Sequence, residues 1–262
     1  MKVPCRKCIA CRIQITNEWS LRLVHESRCH NENCFITLTY RDDKLPLCRS
    51  VCKRTIQLFM KKLRKKVEVK IKYYACGEYG KLHDREHYHL IIFGWQPPIE
   101  DLYFAYSKKG KDYYGSRIIS ALWDRGFNTV GTVTRDSCQY VAGYVRKKDR
   151  RIADGKRLPS FNLQSTGIGA CYAFAHRERI EKHLSVIEGN KNFGTPRYYS
   201  RILGLDNERL KLKREMKDSE LYGKYLDDFG LESEAFHKLA VSAQEQREKN
   251  LHAQEKIIRS KR

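Results

Sequence analysis

No stretch of about 18 apolar residues occurs in the 262-residue chain, which excludes a membrane-spanning helix on hydropathy. The opening residues, MKVPCRKCIA, lack the apolar centre of a secretory leader, so the expected compartment is the cytosol. Thiols stay reduced there, and the ten cysteines are expected free or metal-bound and not as a disulfide framework. Internal repeats and low-complexity segments are absent too, which excludes solenoids and propellers. Acidic residues are scarce, 31 against 52 Lys and Arg, for a formal charge of +21. From Asp206 onward 13 basic residues meet 12 acidic ones, so +20 of the excess belongs to residues 1–205. A basic body with a charge-balanced tail points to a polyanion as the partner of the folded part.

What is present reads as helices and strands mixed. Residues 16–27 (TNEWSLRLVHES) predict a helix, and 34–40 (CFITLTY) a strand closed by the polar turn RDDKLP. Ile56, Phe59, Met60, Leu63 and Val67 recur at helical spacing, so 53–67 is an amphipathic helix. Its other face carries Lys61, Lys62, Arg64, Lys65 and Lys66, a solvated face that also suits phosphates. KIKYYACGEY (70–79) and HYHLIIFGW (87–95) predict an antiparallel hairpin. A helix over 116–123, a strand over 127–134 and a helix over 136–148 follow, the last with Asp136 as N-cap and Gln139 three residues on. RRIADGKRLPSFNLQSTGIG (150–169) reads as loop, 172–187 as helix, and GNKNFGTPRYYS (189–200) as a turn. The expected class is α+β, a central antiparallel sheet with helices packed against it over 1–205 and a helical tail over 206–262.

The hairpin concentrates the chemistry. Alternate residues of a strand share a face, so His87 and His89 point the same way with Cα atoms roughly 6.5–7 Å apart. If 79–86 is the loop, Glu78 faces His87 and Cys76 faces His89 across the pair, on the same side of the sheet. Two imidazoles and one carboxylate leave coordination positions open. They suit Mn²⁺ or Mg²⁺ and accept other divalent ions.

The helix at 136–148 offers a nucleophile. Tyr140 and Tyr144 are i, i+4 neighbours, and Lys147 falls about 20° from Tyr140 on the helical wheel, with Lys148 further round. Such spacing is also ordinary for core tyrosines. Beside a metal and a phosphate it acquires another meaning, because a phenolate attacking a phosphodiester needs a cation on the phosphoryl oxygens. Lys147 can favour the phenolate or steady the phosphate. Near the N-terminus, Cys5, Cys8 and Cys11 have the spacing of a structural zinc site but lack the second pair of a full signature. Cys29, Cys34, His25 and His30 are further ligand candidates, and free thiols are the alternative.

The strand HYHLIIFGW, the stretch Tyr140-Val-Ala-Gly-Tyr144-Val-Arg-Lys147-Lys148 and the strand CFITLTYRDD resemble the motifs of HUH endonucleases, in the order found in replication initiators. With VPCRKCIACRIQ and STGIG added, residues 3–200 resemble the replication initiation proteins of gokushovirus-type microviruses, which are single-stranded-DNA bacteriophages. The resemblance implies nicking of origin DNA at the replicative form, a 5′-phosphotyrosine intermediate, and later rejoining of the released strand into a circle. It implies Tyr140 and Tyr144 as nucleophiles, Lys147 or Lys148 as the helper lysine, and Glu78, His87 and His89 as metal ligands. Lys61, Lys62, Arg64, Lys65, Arg146 and Arg150 are the candidate DNA contacts. The implied setting is the cytoplasm of a bacterial host, with host polymerase extending the 3′-OH. No G-x-x-x-x-G-K-[ST] occurs, so unwinding falls to a host helicase.

Two other readings fit parts of the pattern. A metallohydrolase would use Glu78, His87 and His89 with water as nucleophile and would leave no protein–DNA adduct. A zinc-containing DNA-binding regulator without catalysis would depend on Lys and Arg and not on the histidine pair.

Overall fold

The computed structural model describes residues 5–6, 8–80, 84–108, 110–143 and 157–206, and scattered positions from 208 to 253. It divides into two units, Ile15–His176 and a second one formed by Met1–Gln14 with Arg177–Arg262.

The first unit is built on seven antiparallel strands. These are β1 (Asn33–Tyr40), β2 (Lys72–Tyr79), β3 (Glu86–Phe93), β4 (Leu102–Lys108), β5 (Lys111–Ser116), β6 (Gly126–Gly131) and β7 (Phe161–Gln164). They lie in the order β4-β5-β6-β1-β3-β2-β7. The helices are α1 (Ile9–Ser27), α2 (Lys53–Val67), α3 (Arg117–Leu122), α4 (Arg135–Gly143) and α5 (Ala170–Ala175). The α+β class expected from the sequence is the class observed.

Strand alternation sorts side chains into two layers. On one face, Ile36, Leu38 and Tyr40 of β1 and Tyr88, Leu90 and Ile92 of β3 bury against Ile56, Phe59, Met60 and Leu63 of α2 and against Trp123. On the other, Ile91 and Phe93 meet Leu23 and Val24 of α1, Cys138, Val141 and Ala142 of α4, and Ile168. Ile36, Leu38, Leu90, Ile92, Leu23 and Ile91, among others, are fully excluded from solvent. Each such burial stabilises the fold by about 1.5–3 kcal/mol before the entropy of ordering.

The STGIG motif acquires a structural role. Ser165 exchanges bonds with Tyr73, its N–H donating to the Tyr73 carbonyl at 2.9 Å and its Oγ accepting from the Tyr73 N–H at 3.0 Å. The Arg22 guanidinium donates twice to the Ile168 carbonyl, at 3.1 and 3.0 Å. The Gly169 N–H donates to Glu26 Oε2 at 2.6 Å, and Glu26 Oε1 pairs with Lys72 at 2.7 Å and His30 at 2.9 Å. Burial alone would raise the Glu26 carboxyl, but the bonds from Lys72, His30 and Gly169 outweigh it and hold it below the usual range. Gly167 and Gly169 sit at φ 76° and 80°, conformations that L side chains resist. Together these contacts tie the loop before α5 to α1 and β2.

Several expectations are corrected. The first helix begins at Ile9, seven residues before the expected start. β4 and β5 escape sequence reading because their aromatic residues stay half-exposed at the edge of the sheet, with a bulge between Phe104 and Tyr106. The stretch read as loop contains β7, a short strand added to the edge at β2. The helix expected at 136–148 starts at Arg135, and its cap is Thr134: Thr134 Oγ1 accepts from the Ser137 N–H at 3.1 Å while Ser137 Oγ accepts from the Thr134 N–H at 2.8 Å. This reciprocal pair is a capping box placed ahead of the one Asp136 would make. The helix's continuation past Gly143 lies outside the described residues.

In the second unit, the helix expected over 172–187 stops early. α6 (Arg177–His183) ends where Leu184 takes φ 46°, and Ser185–Glu188 forms strand β8. The expected turn at 189–200 is instead a hairpin return and a helix, β9 (Lys191–Gly194) and α7 (Arg197–Leu203). Glu188 pairs with Lys191 across Gly189–Asn190, with Gly189 at φ 56°, a two-residue hairpin turn. The described residues between 208 and 253 are all helical. No helix among the described residues is long and apolar enough to cross a membrane.

Candidate metal and nucleophile site

β2 and β3 pair with Glu78 opposite His87 and Cys76 opposite His89, the register expected from the hairpin. Oε1 of Glu78 lies 2.7 Å from His87 Nε2 and 3.2 Å from His89 Nε2. The three donor atoms all fall within 4.8 Å of one another. Glu78 is 4 % and His89 6 % exposed, while His87 is half-buried at the open side.

The surroundings fix both rings. His89 Nδ1 is 3.0 Å from Thr37 Oγ1, because Thr37 pairs with His89 between β1 and β3. The ring also stacks on Phe35 at 5.7 Å. His87 Nδ1 lies 3.0 Å from the Arg85 carbonyl, which can only accept, so that nitrogen carries the proton. The same ring's Nε2 faces a carboxylate oxygen, also an acceptor. A neutral imidazole has one N–H and cannot serve both. A cation between Nε2 and Oε1 resolves the conflict, as does an imidazolium. The donor set therefore fits a divalent ion held by Glu78, His87 and His89, with the Arg85 carbonyl and Thr37 orienting the ligands from behind.

α4 crosses the same face. Cys138, Val141 and Ala142 bury toward the sheet, and this sets Tyr140 over the histidines. Its hydroxyl is 3.4 Å from His89 Nε2, with the two rings edge to face at 5.2 Å. Phe35 meets the Tyr140 ring at 6.5 Å. Tyr140 thus has its phenol at the metal-ligand cluster and is half-buried. Tyr144, Lys147, Lys148, Arg146 and Arg150 lie outside the described residues.

The structure does not bring all candidate residues together. α2 packs on the opposite face of the sheet, so Lys61, Lys62, Arg64 and Lys65 are exposed on the far side from Glu78, His87 and His89. That helix holds seven Lys and Arg and no acidic residue. Cys5, Cys8 and Cys11 form a cluster of their own in the other unit. Of the further ligand candidates, Cys34 is in the core and burial pushes its thiol up. His25 stacks on Tyr172 at 3.6 Å, His30 is engaged with Glu26, and Cys29, pushed up to about 12 by burial and then by its neighbour Cys171, pairs with that thiol.

Two residues of the site are not legible from sequence. Thr37 is one. The other is Phe127, 62 % exposed, which pairs with Thr39 as Thr39 pairs with His87. Glu78, His87, Thr39 and Phe127 form one row across β2, β3, β1 and β6, on one face. Only strand alternation within FNTVGTVT could have signalled Phe127, and it does not say which strand lies alongside.

Against known proteins, residues 33–149 match the family model of the replication-associated protein ORF2. That span contains the triad, Tyr140 and Tyr144. A replication-associated protein of Spiroplasma virus 4 is 37 % identical over 243 residues, covering 86 % of this chain and 72 % of its own. The chain belongs to the ORF2 family of replication-associated proteins. Similar replication-associated proteins from Bdellovibrio phage phiMH2K and Chlamydia phage 1 are 37 % and 32 % identical, covering 86 % and 77 % of this chain and 78 % and 53 % of their own. No solved structure matches.

Proposed function

We propose that this chain initiates rolling-circle replication of a bacteriophage genome as a site-specific single-strand DNA endonuclease and strand transferase. The observation that carries the reading is the placement of the Tyr140 hydroxyl 3.4 Å from His89 Nε2, at a carboxylate–histidine cluster able to hold a divalent ion. In the first step, Tyr140 or Tyr144 Oη bonds to the scissile phosphorus and the bond to O3′ breaks. The phenolic proton is lost and the departing 3′ oxygen gains one, so a 5′-phosphotyrosine and a free 3′-OH result. When bound, Mn²⁺ or Mg²⁺ supplies polarisation of the phosphoryl oxygens and offsets the developing charge. Lys147 or Lys148 stabilises the phenolate. The ester conserves the phosphodiester bond energy, so the second tyrosine can later reverse the chemistry on a new strand end and close a circle without ATP.

The open row beside His87 supports a single-stranded substrate. Phe127 presents an exposed ring on the face of the site, and unpaired bases stack on such rings whatever their sequence. The charge of +20 on residues 1–205 supplies the phosphate attraction, through Lys61, Lys62, Arg64 and Lys65 of α2 and through Arg146 and Arg150. Host polymerase then extends the 3′-OH in the bacterial cytoplasm, and a host helicase opens the duplex.

The test is a denaturing gel. Single-stranded DNA carrying the phage origin, mixed with protein and Mn²⁺, gives a covalent adduct that chelator abolishes. Tyr140→Phe and Tyr144→Phe each change the product pattern, and the double variant forms no adduct. An adduct from the double variant sinks the nucleophile assignment. DNA cut without an adduct supports water as nucleophile, and binding without cutting supports a regulator.

A further inference from the structure

We infer that Cys5, Cys8 and Cys11 form a second metal centre, a three-thiolate site for Zn²⁺, independent of the nicking site and of its proposed activity. The three Sγ atoms lie within 4.8 Å of one another, and Cys5 Sγ is 3.8 Å from Cys11 Sγ. That distance is far beyond the S–S bond of about 2.05 Å. It equals the edge of a tetrahedron around zinc, since Zn–S bonds of about 2.3 Å place two sulfurs about 3.8 Å apart.

The backbone is arranged for thiolates as well. The Cys8 N–H points at Cys5 Sγ at 3.2 Å, and the Cys11 N–H at Cys8 Sγ at 3.5 Å. Each amide three residues on thus faces the preceding sulfur, and such bonds offset negative charge on a ligating thiolate. The repeat of three also explains the geometry. Two successive turns of x-x between cysteines carry the chain into the first turn of α1, where Cys11 sits, and bring all three sulfurs to one side.

Chemistry separates this centre from the other. Glu78, His87 and His89 are a carboxylate and imidazole set suited to hard or borderline ions, whereas thiolates select zinc. Binding releases the thiol protons and leaves a fourth position for a water or another donor. Cys5 and Cys8 are exposed, so the ion exchanges with chelators, and the site orders the start of α1 and takes no part in phosphodiester chemistry.

The experiment uses the full chain, reduced and stripped with chelator, then titrated with Zn²⁺ and, in parallel, Co²⁺. The wild-type protein should retain one zinc resistant to gel filtration and show sulfur-to-cobalt charge-transfer and tetrahedral d–d bands. A Glu78→Ala/His89→Ala variant, which lacks the other centre, should keep both, while Cys8→Ser should lose both. Because Cys8→Ser can disturb folding, alkylation of the wild-type chain is mapped by peptide mass spectrometry. Zn²⁺ should slow modification of Cys5, Cys8 and Cys11 at least tenfold and leave Cys48 unchanged. Absence of the cobalt–thiolate bands in the wild type, their persistence in Cys8→Ser, or equal alkylation with and without zinc each overturns the proposal. None of these outcomes depends on nicking.

Discussion

Glu78→Gln separates a metal ligand from a merely structural carboxylate. The substitution keeps the volume of a side chain that is 4 % exposed, but removes the charge and turns one oxygen into a donor. Oε1 alone approaches both imidazoles, at 2.7 and 3.2 Å, so a single atom is the hub of the cluster. Loss of even an outer partner of a metal ligand weakens binding by about 10–100-fold, and loss of a ligand by about 100-fold or more. With Mn²⁺ at about 100 times its dissociation constant, the wild-type chain gains about 2.7 kcal/mol of stability. For a domain of this size that raises the melting temperature by about 5–10 °C. In Glu78→Gln the ion sits near its new dissociation constant, and the gain shrinks to about 0.4 kcal/mol, or about 1 °C. The assay is differential scanning fluorimetry of both proteins with Mn²⁺ and with chelator. Each protein is its own reference, so the loss of about 1.5–3 kcal/mol expected from breaking a charge-assisted bond in the metal-free state cancels. A Glu78→Gln protein that keeps the full ion-induced shift refutes the assignment of Glu78.

Other substitutions probe the rest of the proposal. Phe127→Ala should weaken binding of single-stranded DNA by about 1–3 kcal/mol, or roughly 5–150-fold, and leave duplex binding unchanged in fluorescence anisotropy; Phe127→Trp should restore it. Lys61→Ala/Lys62→Ala/Lys65→Ala should flatten the salt dependence of DNA affinity by about 0.7–0.9 in log–log slope for each phosphate that these lysines neutralise, while the triple variant still forms the adduct at saturating DNA. An unchanged slope would remove α2 from the DNA surface. His25 is held down to about 3 by burial first and then by Arg28 and His176. The unfolded chain therefore takes up a proton below about pH 6.5 that the folded chain refuses until about pH 3. Stability contributed by neutral His25 is present above that window and is lost as pH falls through it, by at most about 1.4 kcal/mol per pH unit. His25→Phe should flatten the acid limb of a urea-denaturation series, and an unaltered limb would place the acid sensitivity elsewhere.

Legibility follows the range of the interactions. α2 is legible to its observed ends, Lys53–Val67, because five apolar residues at helical spacing leave one face to bury. The Glu78–His87 contact is legible because a hairpin's register depends only on its own loop and alternation. Thr37, Phe127 and the place of β7 are not, since each depends on which distant strand lies alongside. The cap on α4 escapes for a subtler reason. Asp136 and Thr134 are both good cap residues, and only the backbone of the preceding strand's exit, with Thr134 exchanging bonds with Ser137, chooses between them.

Composition and the periodicities of two and 3.6 residues are enough to dictate the α+β class, the basic body, and a carboxylate and two imidazoles on one side of a hairpin, because each of these is a local property of the chain. Long-range packing had to settle that β1 lies between β3 and β6, that α4 crosses the histidine face and α2 the opposite one, and that an exposed phenylalanine ends the row. Those placements are pairings between segments distant along the chain, selected by which apolar faces bury together, and no local pattern specifies them.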